Sequence, residues 1–390
     1  MTKIDANRGD LAEGIMGAAL TAKFIKRQSN QNVGNLPQVN TKDVDAVLEK
    51  FFRSGGTYSK TVRDVPKPFD FIPQGAPGNE IETVINIVRE VTISDKVVFK
   101  LRAKQDALDF LKKQSNREKV RDIFERAIKY ANSDSIFIRE SNRLATNAKK
   151  DKIIVDADGL SNPRETKIDI GLYANGRKIG NQISLKYSVT DSGKQFHQIV
   201  GFGIADFDKL FVDNLGIYID GNYRKQTNDF IKTFNINDAY AFRGATSKDV
   251  TGSPWAINLK NAAKIYYQGA EKVIKTQINA LNFRRKLAAT VRYGATRGDK
   301  DIQLVKLAGV KGAPKGGYIQ RTFGPEFEDA IENADLSVVS NFTDNPTIKI
   351  NSNNILLVQF RARVDAQNLV SGHKIKFRQV LEAGNGFFYL

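Results

Sequence analysis

KIDIGLYANGRKIGNQISLK, from Lys167 to Lys186, decides how this chain is read. Asn175-Gly176 is a turn signal between two extended segments, so the stretch reads as a β-hairpin, with strands expected over Thr166 to Tyr173 and Ile179 to Val189. Strand alternation then sorts its side chains. In QISLK, Gln182, Ser184 and Lys186 point to one face, while Ile183 and Leu185 point to the other. Asp169 sits between Ile168 and Ile170, so it takes the polar side while its neighbours enter the core. The turn brings Asp169 beside the Ser184–Lys186 strand.

A carboxylate and an ammonium so placed can serve one phosphate. Asp169 would bind Mg²⁺ or Mn²⁺, with a nearby main-chain carbonyl as a further contact. The ion would polarise a phosphate oxygen and lower the pKa of a bound water. Lys186 would orient that water, deprotonate it, or stabilise charge on the phosphorus centre. As a base it would need desolvation or nearby positive charge. Ser184 could position water or phosphate, and Gln182 could orient the lysine. The plainer reading is an exposed hairpin with a weak ion pair between Asp169 and Lys186.

Composition narrows the partners. The chain has 390 residues, with 60 Lys and Arg against 43 Asp and Glu, a net charge of +17. That excess favours a polyanion. There is no cysteine, which excludes disulfides, thiol catalysis and cysteine-held zinc or iron–sulfur sites. His197 and His373 are the two histidines, too few for a multi-histidine metal site. Any metal is expected on carboxylates, which suits magnesium or manganese. No apolar run is long enough to span a membrane, and no secretory signal is expected at the N-terminus.

Along the chain, helices are expected at Asp10 to Arg27 with Asp10 as cap, and after Thr41 as a second cap. The Gly/Pro-rich stretch from Gly55 to Pro77 reads as loops. Helical patterns follow at Asn79 to Glu90 and, in pieces, from Lys104 to Ala145. Lys152 to Val155 is a strand candidate. Gln195 to Leu215 is expected to hold a helix on the hairpin, with Gln195 and Gln198 sharing one face. Trp255 to Leu287 reads as mostly helical. LLVQFRARV (Leu356 to Val364) and KIKFRQVL (Lys374 to Leu381) read as strands. A boundary is expected near residues 245–255.

KIDI, the hairpin and ISLK together resemble the PD-(D/E)xK nuclease superfamily, over roughly residues 150–215 with an upstream helix added. The resemblance implies a restriction-endonuclease-like α/β fold: a mixed-sheet core with helical N-terminal additions and a basic mixed α/β C-terminal region. It implies that Asp169 binds metal and that Lys186 is the motif's lysine. Two positions depart from the motif. Ser184 stands at the middle acidic position, and Ile168 stands where proline precedes the aspartate. The missing carboxylate would then come from elsewhere. Glu13, on the first helix, is the leading candidate; Glu165, Asp156 and Asp158 compete.

The expected organisation is residues 1–250 as the nuclease-like core, with its hairpin at 166–189, and 251–390 as a basic DNA-binding region. Gln195 and Gln198 would touch the phosphate backbone or brace Lys186. Arg284 and Arg285, and the strand ladders Arg361–Arg363 and Lys374–Lys376–Arg378, would contact phosphates. His197 is read as a surface or structural residue rather than a catalytic one. The expected activity is metal-dependent endonucleolytic cleavage of double-stranded DNA in the cytoplasm of a bacterial or phage-infected cell. A homodimer is left open. Noncatalytic nucleic-acid binding, or a phage structural role on the same core, is the alternative.

Overall fold

The computed structural model describes residues 8–29, 37–66, 81–133, 151–158, 168–187, 194–200, 204–232, 252, 254–299, 301–307, 317–369, 372–384 and 386. Within them the chain is α/β, with N-terminal helices, mixed sheets and a mixed α/β C-terminal region. The helices are α1 (Arg8–Ser29), α2 (Thr41–Arg53), α3 (Gln105–Lys112), α4 (Arg121–Ser133), α5 (Ile204–Asp208), α6 (Gly221–Lys232), α7 (Pro254–Gln277), α8 (Leu281–Thr296) and α9 (Pro325–Asn333). The first strands are β1 (Thr57–Pro66), β2 (Ile81–Ser94), β3 (Val97–Lys104), β4 (Ile153–Ala157), β5 (Gly171–Ala174), β6 (Arg177–Lys178) and β7 (Gln182–Tyr187). Then come β8 (Lys194–Val200), β9 (Ile302–Leu307), β10 (Ile319–Arg321), β11 (Leu336–Asn341), β12 (Thr347–Ser352), β13 (Ile355–Leu369) and β14 (Gly372–Ala383). No described helix is long and apolar enough to cross a membrane.

Two compact units emerge, neither continuous in sequence. The first holds residues 1–63, 83–191 and 296–323; the second holds 64–82, 192–295 and 324–390. The division therefore differs from a single cut near residue 250, because β9 and β10 return to the first unit after a long excursion.

In the first unit, β1 to β6 lie side by side in chain order, and β10, β9 and β7 form a second ladder. An antiparallel bridge between Ile170 and Ile183 joins the two. The strands β3 and β4 are parallel, β5 runs against β4, and β7 is parallel to β9. It follows that β3, β4, β7 and β9 all point the same way. One face of this sheet carries Phe99, Leu101, Val155, Leu172, Ile183, Leu185 and Val305, all buried in a core shared with α1, α2 and α4. Ile183 and Leu185 face this core as expected, while Gln182 and Ser184, on the opposite face, are buried as well. The Asn175-Gly176 turn has φ of +49° and +78°, the left-handed pair a two-residue hairpin needs.

Three local expectations are corrected. Asn40, not Thr41, caps α2: its side chain accepts from the Asp43 N–H at 3.2 Å, and the Asp43 carboxylate accepts from the Asn40 N–H at 2.7 Å. Residues 81–94 form a strand rather than a helix; Ile81, Thr83, Val84, Ile85, Ile87, Val88 and Val91 are β-branched and favour it. Part of the Gly/Pro-rich stretch is also a strand, β1.

The second unit is built on a five-stranded antiparallel sheet, in the order β11-β12-β13-β14-β8, with α7 packed on it. Phe207, Phe211, Tyr266, Tyr267 and Phe360 form an aromatic core; the Phe211 ring lies 5.0 Å from Tyr267 and 5.4 Å from Phe360. Both strands read from LLVQFRARV and KIKFRQVL are present and pair along their length.

Candidate active site

Four parallel strands ending at one edge leave a natural place for a ligand, since α/β sheets bind outside the carboxyl ends of their strands. Here α1 reaches the same edge. The Asp10 carboxylate accepts from the Lys104 N–H at 3.1 Å, pinning the start of α1 to the end of β3. Two glycines then let the helix lie close to the sheet. A Cβ on Gly17 would come 2.6 Å from the Phe99 ring, and one on Gly14 would come 3.3 Å from Leu101 of β3 and 2.8 Å from Leu111 of α3. Glu13, one turn after Asp10, is therefore carried to the edge where β4 and β7 end.

At that edge Asp169 and Lys186 meet. Asp169 Oδ2 accepts from Lys186 Nζ at 3.0 Å, from the Leu185 N–H at 2.5 Å and from Ser184 Oγ at 3.3 Å. Lys186 Nζ also donates to Ser184 Oγ at 3.2 Å and to the Leu185 carbonyl at 2.9 Å. All three bonds to the carboxylate converge on Oδ2, so Oδ1 is left open among the described residues. Both side chains are partly exposed, at 27% for Lys186 and 17% for Asp169, so a solute can reach them.

Glu13 is the residue that makes this more than an ion pair. It is partly buried, and its carboxyl is pushed well above the usual carboxylate range. Burial is the main cause, followed by the negative charges of Asp169 and Asp10; Lys186 pulls the other way, and Asp158 adds a smaller upward push. Among the described residues the carboxyl has no hydrogen-bond or ion-pair partner. The structure thus brings Glu13, Asp169, Ser184 and Lys186 within reach of one another's charge.

A second group, missed in the sequence apart from its two aspartates, lies beside them on the face away from α1. Lys100 Nζ is 3.0 Å from Asp156 and 2.9 Å from Asp158, and Arg102 Nη1 is 3.2 Å from Asp158. Burial is the main force raising the Asp156 carboxyl, against the pull of Lys100. The alternation in VVFKLRAK was the available signal for Lys100 and Arg102. Lys306 was missed as well. It is buried on β9 and is the in-register partner of Lys186; their pairing joins strands about 115 residues apart, which no local pattern reveals.

Other expected site residues do different work. The Gln182 side chain is spent on the hairpin: it accepts from the Leu172 N–H at 3.0 Å and donates to the carbonyls of Leu172 and Ile179. Glu165 lies outside the described residues. Gln195 and Gln198 are on strand β8 of the second unit, not on a helix; their backbones pair opposite Glu382 and Val380 across a bulge. The helix expected there begins only at Ile204. His197 is on the same strand, opposite Leu381, and the side chains of all three lie outside the described set.

In the second unit, Arg284 holds the end of α9, donating to the carbonyl of Glu332 at 2.6 Å and of Ala334 at 2.9 Å. Arg285 pairs with Glu332 at 2.8 Å. Arg361 pairs with buried Glu382 at 2.6 Å. Arg363 and Arg378 are direct cross-strand partners, so three arginines share one sheet face. Lys374 and Lys376 stand opposite Gln367 and Asp365 in register, with side chains outside the described set.

Among the described residues, no group of three or more His, Cys, Asp or Glu side chains gathers closely enough to hold a metal. The carboxylates that feel each other's charge at the edge are Glu13 and Asp169, the latter with one open oxygen among the described residues. That pair fits a hard cation such as Mg²⁺, which commonly takes one or two carboxylates and fills the rest of its shell with water and substrate phosphate. No family model matches the chain, and no curated protein or solved structure matches it either.

Proposed function

We propose that the first unit is a metal-dependent deoxyribonuclease that hydrolyses phosphodiester bonds within DNA, on a restriction-endonuclease-like mixed sheet. One observation carries the reading: Asp169 and Lys186 pair at 3.0 Å at the carboxyl ends of parallel strands, and Glu13 lies within reach of both their charges. Glu13 and Asp169 would hold Mg²⁺ or Mn²⁺. Such an ion, when bound, supplies charge to the phosphate and a more acidic water.

The chain's own groups do the rest. Lys186, tethered by Asp169, Ser184 and the Leu185 carbonyl, presents its ammonium toward a phosphate oxygen on the open side of the site. Ser184 stands where an acidic ligand would add charge, and instead steadies Lys186 and Asp169. The basic face of Arg361, Arg363 and Arg378 in the second unit suits duplex phosphates. A second reading, noncatalytic DNA binding, draws support from the three donors already on Asp169 Oδ2.

Cleavage of supercoiled and linear DNA in Mg²⁺, Mn²⁺ and EDTA tests the proposal. Wild-type protein should cut with either ion and stop in EDTA. Asp169→Ala, Lys186→Ala and Glu13→Ala should each lose at least a hundredfold in rate while still binding DNA. Equal cutting by the purified variants would remove these residues from the reaction, and binding without cutting by wild type would favour the second reading.

A further inference from the structure

The registers of the first sheet place a second set of cations in line with the reacting pair. Leu101 is the partner of Ala157, Asp156 of Gly171, and Ile170 of Ile183. Continuing each by one residue gives a straight row across four strands: Arg102, Asp158, Asp169, Ser184. Lys100, one step back on β3, faces Asp156. All of these lie on the face away from α1, because Phe99, Leu101, Val155, Ala157, Ile170 and Ile183 fill the core on the other side. Carboxylates occupy the middle of the row, with cations at both ends: Lys100 and Arg102 at one, Lys186 at the other.

We propose that Arg102, with Lys100 beside it, binds a phosphate of the same DNA strand whose scissile phosphate lies at Lys186, so that the site takes a polymer rather than an isolated diester. This rests on the hydrolase reading of the Asp169–Lys186 site. The backbones at the two ends of the row are three strand spacings apart, about 14 Å, and the cations lean inward onto the neighbouring Asp158 and Asp169. Each cation thus sits on its own carboxylate, and a nucleotide chain offers successive phosphates to the two where a small diester offers one. Asp158 uses only part of the Arg102 fork: Nη1 faces it at 3.2 Å, and the buried Nε makes no hydrogen bond among the described residues. Its side chain is 13% exposed and that of Lys100 is 24% exposed, so both remain reachable from solvent. Asp156 and Asp158 hold the two cations in place in the free protein. A phosphate would share them, as a planar guanidinium can serve two anions from different edges. The charge of Asp158 also reaches Glu13, so the row and the reacting edge are one electrostatic unit.

The test compares binding and turnover on two substrates. In EDTA, affinity for a fluorescein-labelled DNA duplex is measured by anisotropy across a salt series. Arg102→Gln should weaken binding about tenfold and lower the salt slope by about one. Arg102→Lys should restore the slope. In Mn²⁺, Arg102→Gln should raise KM for DNA about tenfold more than KM for bis(p-nitrophenyl) phosphate. Lys100→Gln, which leaves the Arg102–Asp158 pair intact, should show the same split more weakly and guards against misfolding of the first variant. An unchanged salt slope in both glutamine variants, or equal rises in KM for both substrates, would overturn the proposal. If wild type cuts neither substrate, the hydrolase reading falls while the binding series still decides whether Arg102 meets a phosphate.

Discussion

Replacing Glu13 by glutamine should make the metal-free protein more stable at neutral and alkaline pH. Its folded carboxyl titrates above the ordinary value of 4.5, with burial as the main cause and Asp169 next. Between that ordinary value and the raised one, the native state keeps a proton that the unfolded chain has released. Stability therefore falls as pH rises through this window, and the loss is complete above the folded pKa. Glutamine has the same shape and does not titrate, so no cavity opens and no described hydrogen bond is lost. A buried polar group left unpaired costs about 1–3 kcal/mol, and a charged one more, and a neutral group of equal size avoids the part due to charge. In a unit of 150–250 residues each kcal/mol moves Tm by about 2–4 °C. Thermal and urea unfolding in EDTA at pH 8, 6.5 and 5 should show the variant ahead at pH 8, with the lead shrinking at each step down. Added Mg²⁺ should narrow the gap from the other side, because wild type gains about 1.4 kcal/mol at ten times its Kd and the variant gains less. A variant less stable than wild type at pH 8 in EDTA, or a difference that ignores pH, would refute the reasoning: Glu13 would then be making a bond that the fold needs.

Two further outcomes follow from the packing around the site. Gly17→Ala gains about 1 kcal/mol of helix propensity but sets a methyl 2.6 Å from Phe99, for which overpacking costs about 1–3 kcal/mol; urea unfolding should show a net loss of up to about 2 kcal/mol, and on the proposed nuclease reading cleavage should fall further than stability alone explains. Tyr130 donates to the buried amide oxygen of Gln303 at 2.7 Å, so Tyr130→Phe strands that acceptor and should cost about 1–3 kcal/mol by the same measurement, with DNA affinity unmoved.

What could be read in advance was local. The hairpin was legible because strand alternation and Asn175-Gly176 agree, and the pairing of Asp169 with Lys186 follows from them. Glu13 entered by resemblance, and the glycines that bring α1 to the sheet gave a local reason for its approach. The apolar spacing of Asn79 to Glu90 suits a helix as well as a strand, and the β-branching of residues 81–94 is the better guide to the strand they form. The basic residues misled in a different way. Arg284 looks like a phosphate contact in FRRK, yet it serves the carbonyls at the end of α9. A cation's partner is set by tertiary placement, which charge counting does not see. The return of β9 beside β7 is the extreme case: IQLVKL is buried throughout, and nothing in its sequence names the strand it joins.

The choice between a structural ion pair and a reacting site turns on the third group. Asp169 and Lys186 alone satisfy each other, and a partly exposed pair of that kind adds little stability. A fold selected only for that pair has no use for Glu13, whose carboxyl is held near the like charges of Asp169, Asp10 and Asp158 without a described hydrogen-bond partner. Yet several features converge to hold it there: Asp10 on the end of β3, and Gly14 and Gly17 admitting the helix to the sheet. Glycine in a helix is itself unfavourable by roughly 1 kcal/mol, so the close approach is maintained against local preference. On the proposed reading, a cation between the carboxylates would relieve that repulsion, and this would account for Glu13, its glycines and the open oxygen of Asp169 together; the ion pair alone accounts for none of them.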